Sequence, residues 1–128
     1  MFKKLSLVSV LFLLLFSACQ KDEGVGGKAT IKGKIYMKNY TGGVLQDQYY
    51  APDYDVYIIY GGSNTFYDDN VKTSYDGSFE FRYLRPGTYQ IFAYTKDPIT
   101  GDITPVLQTV EINDKKEIVT LADITVKG

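Results

Sequence analysis

The sequence predicts an all-β protein, an antiparallel sandwich built from seven short strands. Seven segments either alternate apolar and polar residues or form β-branched and aromatic runs, and turn residues separate them. Beyond the N-terminal apolar run, no window places apolar residues at helical spacing for three turns. Short strands at this spacing are typical of a sandwich.

The first predicted strand covers residues 29–37. Ala29, Ile31 and Ile35 share one face of it, and lysines lie on the other, so one side should face water. Residues 38–53 hold Gly42-Gly43 and Pro52 among polar and tyrosine residues, which indicates a long connection or an irregular edge.

The next two strands follow this connection. Residues 55–60 are β-branched and aromatic, so this strand should be the more fully buried one, and Gly61-Gly62 ends it. Residues 66–73 predict a weaker strand because Asp68, Asp69 and Asn70 interrupt it.

The C-terminal half contains the clearest alternation. Residues 77–84 and 88–95 are predicted to form a hairpin around Arg85-Pro86-Gly87, with Phe79, Phe81 and Tyr83 on one face. Residues 96–102 predict a loop. Two further strands, 106–112 and 118–126, are separated by residues 113–116.

Composition excludes several kinds of chemistry. The chain has 128 residues, 14 basic and 15 acidic, with no His and one Cys. The usual His and Cys metal sites, the nucleophile–His arrangements and an internal disulfide therefore cannot form. The near-neutral charge without a basic block argues against nucleic acid as a partner. We expect no enzymatic activity and no cofactor.

The N-terminal residues have the pattern of a secretory signal. Lysines at positions 3 and 4 precede an apolar run over residues 5–16, which is too short to span a bilayer permanently. The run ends in Ser17-Ala18-Cys19, which resembles the lipobox of bacterial lipoproteins. That resemblance implies a signal peptide over residues 1–18 and an acylated, palmitate-bearing Cys19 that anchors the protein in a membrane. The alternative is an ordinary cleaved signal with an incidental Cys.

Charged residues follow Cys19 directly. Lys21, Asp22 and Glu23 resemble the export signal that brings Bacteroidetes lipoproteins to the outer face of the outer membrane. The alternative is a solvated tether that only keeps the domain off the headgroups. In both cases residues 19–27, rich in Gly, should be flexible, and the domain should span residues 28–128.

Two runs carry a family resemblance. Thr73-Ser74-Tyr75-Asp76-Gly77-Ser78-Phe79-Glu80-Phe81, followed by Leu84-Arg85-Pro86-Gly87-Thr88-Tyr89, resembles the motif of carboxypeptidase-regulatory-like domains. The resemblance covers residues 28–126 and implies the seven-stranded Greek-key sandwich of transthyretin, or prealbumin. These residues are expected to build the fold rather than to contact a ligand.

Some related β-sandwich domains catalyse a reaction or cross-link themselves, but this chain lacks the residues on which their chemistry depends. Transthyretin-like hydroxyisourate hydrolases rely on His, which this chain lacks. Cna-B-type domains, which this pattern also resembles, form an isopeptide bond with the help of a buried acid, and Ala93 stands at the corresponding place here.

Tyrosine and aspartate supply the candidate site residues. All 12 tyrosines follow the signal, and Tyr49, Tyr50 and Tyr67, beside predicted loops, are candidates for an exposed binding surface. Strand alternation should bury some of the others. Weak calcium candidates are Asp53, Asp55, Asp68 and Asp69, although acids at strand ends are commonly solvated turn formers, and no metal site is predicted.

Two functions stay open at this point. One is a non-catalytic surface lipoprotein that binds a glycan or a protein. The other is a purely structural spacer or packing module of the envelope, without a small ligand.

Overall fold

The structure is a computed structural model that describes residues 22–62 and 66–128. Its regular elements are all strands, which confirms the all-β prediction. Within those residues, no helix is long and apolar enough to cross a bilayer. The strands are β1 (Val25–Thr41), β2 (Val44–Tyr50), β3 (Asp55–Tyr60), β4 (Asp69–Lys72), β5 (Ser78–Leu84), β6 (Gly87–Lys96), β7 (Ile103–Ile112), β8 (Ile118–Thr120) and β9 (Ile124–Lys127).

The first sheet is built around the long strand β1. On one side β1 pairs antiparallel with β5 through its first half and with β2 through its second half. On the other side it pairs in parallel with β8 and then with β9. Every strand of this sheet therefore contacts β1, which has 17 residues.

The second sheet is antiparallel throughout, in the order β4-β3-β6-β7. The pair β6–β7 is the longest, from Gly87 opposite Ile112 to Lys96 opposite Ile103. In β3 and β6, alternate residues point to one shared core, among them Val56, Ile58 and Ile91. That core also includes residues of the first sheet such as Ile31, Ile35 and Phe81, so the two sheets pack face to face.

The strand number and the pairing differ from the prediction of seven antiparallel strands. Gly42 and Gly43 have φ values of 58° and 79°, which suits a two-residue hairpin turn, so residues 38–50 extend β1 and form β2. Of the two predictions for this segment, the irregular edge is therefore the correct one, because β2 pairs only with β1 and their register shifts between Asn39 and Tyr40. The segment 118–126 is divided into β8 and β9, which run parallel to β1. Parallel neighbours need a crossover connection, and here the chain reaches β8 from β7 of the other sheet.

The predicted hairpin around Pro86 is wrong. β5 belongs to the first sheet and β6 to the second, so Arg85-Pro86-Gly87 connects the two layers. Leu84 and Tyr89, on either side of this connection, are both buried in the core. Alternation alone cannot distinguish such a connection from a hairpin, because both present alternate residues to the core.

Tyr83 departs from the predicted face. Its φ of 60° lies in the left-handed region, and the pairing register of β5 with β1 shifts near Leu84. The irregularity turns Leu84 into the core and leaves Tyr83 64% exposed. Phe79 and Phe81 are buried, as predicted.

The folded part begins earlier than residue 28. β1 starts at Val25, and Gly24 is held by backbone and side-chain hydrogen bonds to the β5–β6 connection. Residues 25–27, expected to be part of a flexible tether, thus belong to the first sheet, and Gly24 is hydrogen-bonded to Arg85 and Tyr89. The predicted signal peptide over residues 1–18, Cys19 and Lys21 lie outside the described residues.

Candidate functional site

The outer side of the second sheet carries an aromatic cluster. Because strand side chains alternate, Val56 and Ile58 point inward and Tyr57 points outward from β3. In β6 the same alternation sends Phe92 and Tyr94 outward. Tyr67, just before β4, joins them, and we call Tyr57, Tyr67, Phe92 and Tyr94 the aromatic face.

Ring contacts tie the aromatic face together around Tyr57. Tyr57 and Phe92, directly opposite each other on β3 and β6, stack with centroids 5.0 Å apart and planes 15° apart. Tyr67 lies 4.8 Å from Tyr57 at 58°. Tyr94 lies 5.5 Å from both Tyr57 and Phe92, at 69° and 81°. The rings form one cluster of one stacked, one tilted and two edge-to-face contacts rather than a coplanar strip, and aromatic quadrupoles favour such offset-stacked and edge-to-face arrangements.

The four rings differ in exposure: two are largely covered, and two are open to solvent and could contact a ligand. Phe92 is buried and Tyr57 half-buried, while Tyr67 is 52% exposed and Tyr94 is 41% exposed. Burial, followed by the Asp55 carboxylate, raises the pKa of the Tyr57 hydroxyl. That hydroxyl stays protonated at neutral pH and can donate a hydrogen bond.

Polar groups border the aromatic face on the β4 side and apolar groups on the β7 side. Asn70 pairs with Tyr57 across β3–β4, and the neighbouring pair joins Lys72 Nζ to Asp55 Oδ1 at 3.2 Å. On β7, Leu107 lies opposite Phe92 and Pro105 opposite Tyr94, and both are exposed. A ligand on the aromatic face would therefore meet ring surface, amide and charged groups within one region.

The predicted trio of tyrosines does not come together. Tyr49 and Tyr50 are exposed, but they lie on β2 of the first sheet, whereas Tyr67 lies beside the second. The Tyr49 hydroxyl accepts a hydrogen bond from Asn39 Nδ2 at 3.2 Å.

Tyr50 is part of a separate small cluster. Its ring meets Tyr36 edge-on with centroids 5.1 Å apart, and Lys34 Nζ lies 4.9 Å from the ring centroid. Its hydroxyl donates to Asp123 Oδ2 at 2.8 Å, and this hydrogen bond to a carboxylate raises the pKa of Tyr50. Tyr50 thus serves contacts within the domain as well as facing solvent.

Sequence reasoning missed Tyr57, Phe92 and Tyr94 as site residues. Their signal was present: each is an aromatic residue one position away from a residue of the core between the sheets, so strand alternation places it on the outer side. The pairing that sets Tyr57 against Phe92 spans 35 positions along the chain, and one sequence does not supply it.

The calcium candidates do not form a site. Among residues 22–62 and 66–128, no three His, Cys, Asp or Glu side chains converge on one point. Asp55 pairs with Lys72, the Asp68 carboxylate accepts from the Tyr60 N–H at 2.7 Å, and Asp69 accepts from the Asn70 N–H at 2.8 Å. Asp53, with φ of 52°, occupies a turn. These acids shape strand ends and turns.

A cleft of about 720 Å³ lies where β4 approaches β1 and β5. Its charges are mixed, because Lys32, Lys34 and Lys72 share it with Glu80 and Asp123. Asp123 is already bonded to Tyr50 and Lys72 to Asp55. The arrangement selects no single class of ligand.

Comparisons with known proteins add little to this geometry. No family model matches the chain, and no curated protein matches it. Among solved structures it is similar to a Pseudomonas aeruginosa protein named "putative carbohydrate binding protein", at 15% identity and a TM-score of 0.49, over 83% of this chain and 93% of that one. A likeness this distant carries no argument about what the present chain binds.

Proposed function

We propose that this protein is a non-catalytic, lipid-anchored surface module that binds a glycan through the aromatic face. The observation that carries the proposal is the continuous ring cluster on the solvent side of the second sheet, with Tyr67 and Tyr94 each more than two-fifths exposed. The four rings are not among the residues that form the core between the sheets.

The chemistry of the aromatic face suits a sugar chain. A sugar ring offers apolar C–H faces and a rim of hydroxyls, so it needs flat apolar surface together with nearby hydrogen-bonding groups. Tyr67 and Tyr94 supply rings with hydroxyls, and Asn70, Asp55 and Lys72 lie across the adjoining strands.

A protein partner is the second candidate, and the β7 side favours it. Ile103, Pro105 and Leu107 are exposed in a row beside Tyr94, which extends the apolar surface beyond what a single sugar would cover. Exposed apolar patches next to tyrosines are typical of protein interfaces.

The anchor and the family belong to the same proposal. The Ser17-Ala18-Cys19 motif supports acylation of Cys19, and Lys21-Asp22-Glu23 supports export to the outer face of the outer membrane. The motifs around Gly77 and Pro86 support a carboxypeptidase-regulatory-like domain with a Greek-key order of strands.

A double substitution on the aromatic face tests the proposal. Tyr67→Ala with Tyr94→Ala should weaken binding to any glycan captured from a panel of purified polysaccharides by at least about tenfold, because truncated contact tyrosines commonly cost more than 1 kcal/mol each. Tyr49→Ala with Tyr50→Ala removes the same number of exposed tyrosines from the other sheet and should leave binding unchanged.

The outcomes separate the candidates. Glycan binding lost equally in both double variants would place the site elsewhere. Binding to a protein from the envelope, sensitive to Tyr94→Ala and to Leu107→Ala but with no glycan bound, would favour the second candidate. No binding to either class would favour a structural spacer.

A further inference from the structure

The chain enters the domain at one fixed point. The Gly24 N–H donates to the Tyr89 hydroxyl at 2.9 Å, and the Gly24 carbonyl accepts from the Arg85 N–H at 2.9 Å. The Tyr89 hydroxyl in turn donates to the Arg85 carbonyl at 2.6 Å, and Tyr89 is fully buried. These bonds hold Gly24 against the connection between β5 and β6.

Four cations line a cleft of about 610 Å³ at this same end. They are Lys28 on β1, Arg85 in the β5–β6 connection, and Lys115 and Lys116 before β8, and we call them the cationic end. Among residues 22–62 and 66–128, no carboxylate lines this cleft. Within the described part of the chain, none of the four lies within ion-pair distance of an acid, and Arg85 Nε is buried without a hydrogen-bond partner.

The acidic residues near the cationic end either accept hydrogen bonds from backbone N–H groups or do not line the cleft. Glu23 Oε1 accepts from the Thr88 N–H at 3.4 Å, and its side chain lies against Gly87. Glu117 Oε2 accepts from the N–H groups of Asn113 and Asp114, at 2.7 and 3.2 Å. Asp22 and Asp114 are exposed and do not line the cleft.

The proposed anchor lies close to this end. Five residue steps separate Cys19 from Gly24, which is at most about 18 Å of extended chain. β1 then runs 17 residues away from this point, roughly 50 Å at the usual strand rise, to the β1–β2 turn. An acyl chain on Cys19 would therefore hold the cationic end near the headgroups and the turn far from them.

We propose that the cationic end docks on an anionic lipid surface and so orients the domain on its membrane. The inference rests on the lipid anchor of the proposed function, and two observations carry it: the short reach from Cys19 to Gly24, and the charge complementarity between four unpaired cations and lipid phosphates. The acyl chain brings the surface close, and the cations select the side that faces it.

The absence of Trp from the sequence allows a direct test. Val25→Trp and Val44→Trp place one reporter at each end of the first sheet, at positions 56% and 62% exposed. The acylated full-length variants are reconstituted in phosphatidylcholine vesicles with or without phosphatidylglycerol, and headgroup-nitroxide lipids quench the fluorescence. Flotation of the vesicles measures anchoring separately, with Cys19→Ser as the control without an anchor.

Docking predicts a specific pattern of quenching. The reporter at position 25 should be quenched about twofold more in anionic than in neutral vesicles, and the reporter at position 44 should not respond to lipid charge. Lys115→Glu with Lys116→Glu, in an exposed loop, should abolish the difference at position 25. Salt at 1 M should do the same, because it shortens the Debye length to about 3 Å.

Each outcome decides one claim. Flotation with quenching that does not depend on lipid charge, or is equal at both positions, would leave the anchor in place and overturn the docking. Absence of flotation would overturn the anchor and the docking with it, but would leave glycan binding by the aromatic face to its own test.

Discussion

Phe81 and Glu80 are sequence neighbours on β5 that face opposite sides of the first sheet. Phe81 is buried in the core opposite Ile31, while Glu80 is exposed and bonded to Arg82 Nε at 2.6 Å. Phe81→Ala should lower the free energy of unfolding by about 3–5 kcal/mol, the usual cost of deleting a buried ring. Glu80→Ala should cost little, because exposed ion pairs contribute little. Urea denaturation compares the two, and similar midpoints would contradict the register of β5 on β1.

The pKa of the Asp76 carboxyl depends mainly on the hydroxyl of Ser78. The Ser78 hydroxyl donates to Asp76 Oδ1 at 2.6 Å and the Ser78 N–H donates to it at 3.1 Å, and these bonds, the hydroxyl first, lower the pKa of Asp76. Because the folded-state pKa is the lower one, the contribution to stability is present above the unfolded-state pKa and is lost as the pH falls through the folded-state value.

Ser78→Ala should raise the pKa of Asp76 toward its ordinary value, as followed by NMR of the carboxyl carbon. Asp97 supplies a control in the same spectrum, since the N–H groups of Ile99 and Thr100 lower its pKa and lie far along the chain from the substitution. A pKa of Asp76 that does not move would show that the Ser78 hydroxyl is not its main partner.

At the scale of elements, Gly77 lets β2 and the β5 turn approach each other. Gly77 and Gly101 share a φ of 77°, but a Cβ on Gly77 would lie 2.8 Å from Tyr50 Cβ and 2.9 Å from the Ile35 carbonyl oxygen, whereas nothing lies within 4 Å at Gly101. Gly101→Ala should cost about 1–2 kcal/mol from the left-handed backbone alone. Gly77→Ala should cost clearly more, and equal denaturation midpoints would show that the close approach yields without cost.

The elements also show what one sequence can predict. The β-branched and aromatic run predicted that β3 spans residues 55–60, and local alternation predicted that Phe79 and Phe81 point inward, because each depends on neighbours in the chain. Sheet membership depends on partners far away. Alternation therefore predicted a hairpin at Pro86 where the chain changes sheets, and it could not predict that Tyr57 pairs with Phe92. Asp55, taken for a calcium candidate, instead pairs with Lys72 of the adjacent strand.

At the scale of the whole molecule, the proposed anchor and the aromatic face lie at different distances along the domain. β6 begins at Gly87 beside the cationic end, and Tyr94 lies seven residues further along, roughly 23 Å at the usual strand rise. If the cationic end rests on the headgroups, the aromatic face stands above them on the side of the domain. A partner would then reach Tyr67 and Tyr94 without entering the lipid region.

The proposed export signal can be tested by substitution, and the contacts of Glu23 decide which residues to replace. Glu23 contacts the domain at Gly87 and Thr88, so replacing it would confuse a sorting defect with a folding defect. Lys21→Ala with Asp22→Ala changes the proposed export signal and leaves Glu23 in place. We expect this variant to keep its acyl chains, as measured by intact mass. It should be protected when whole cells are treated with protease, because the export signal is lost while the lipid anchor remains. Glu23→Gln keeps an oxygen that can accept from the Thr88 N–H and removes only the charge, so this variant should stay accessible to protease when residues 21 and 22 carry the export signal. Equal cleavage of the double variant and the natural protein would show that these residues act only as a tether.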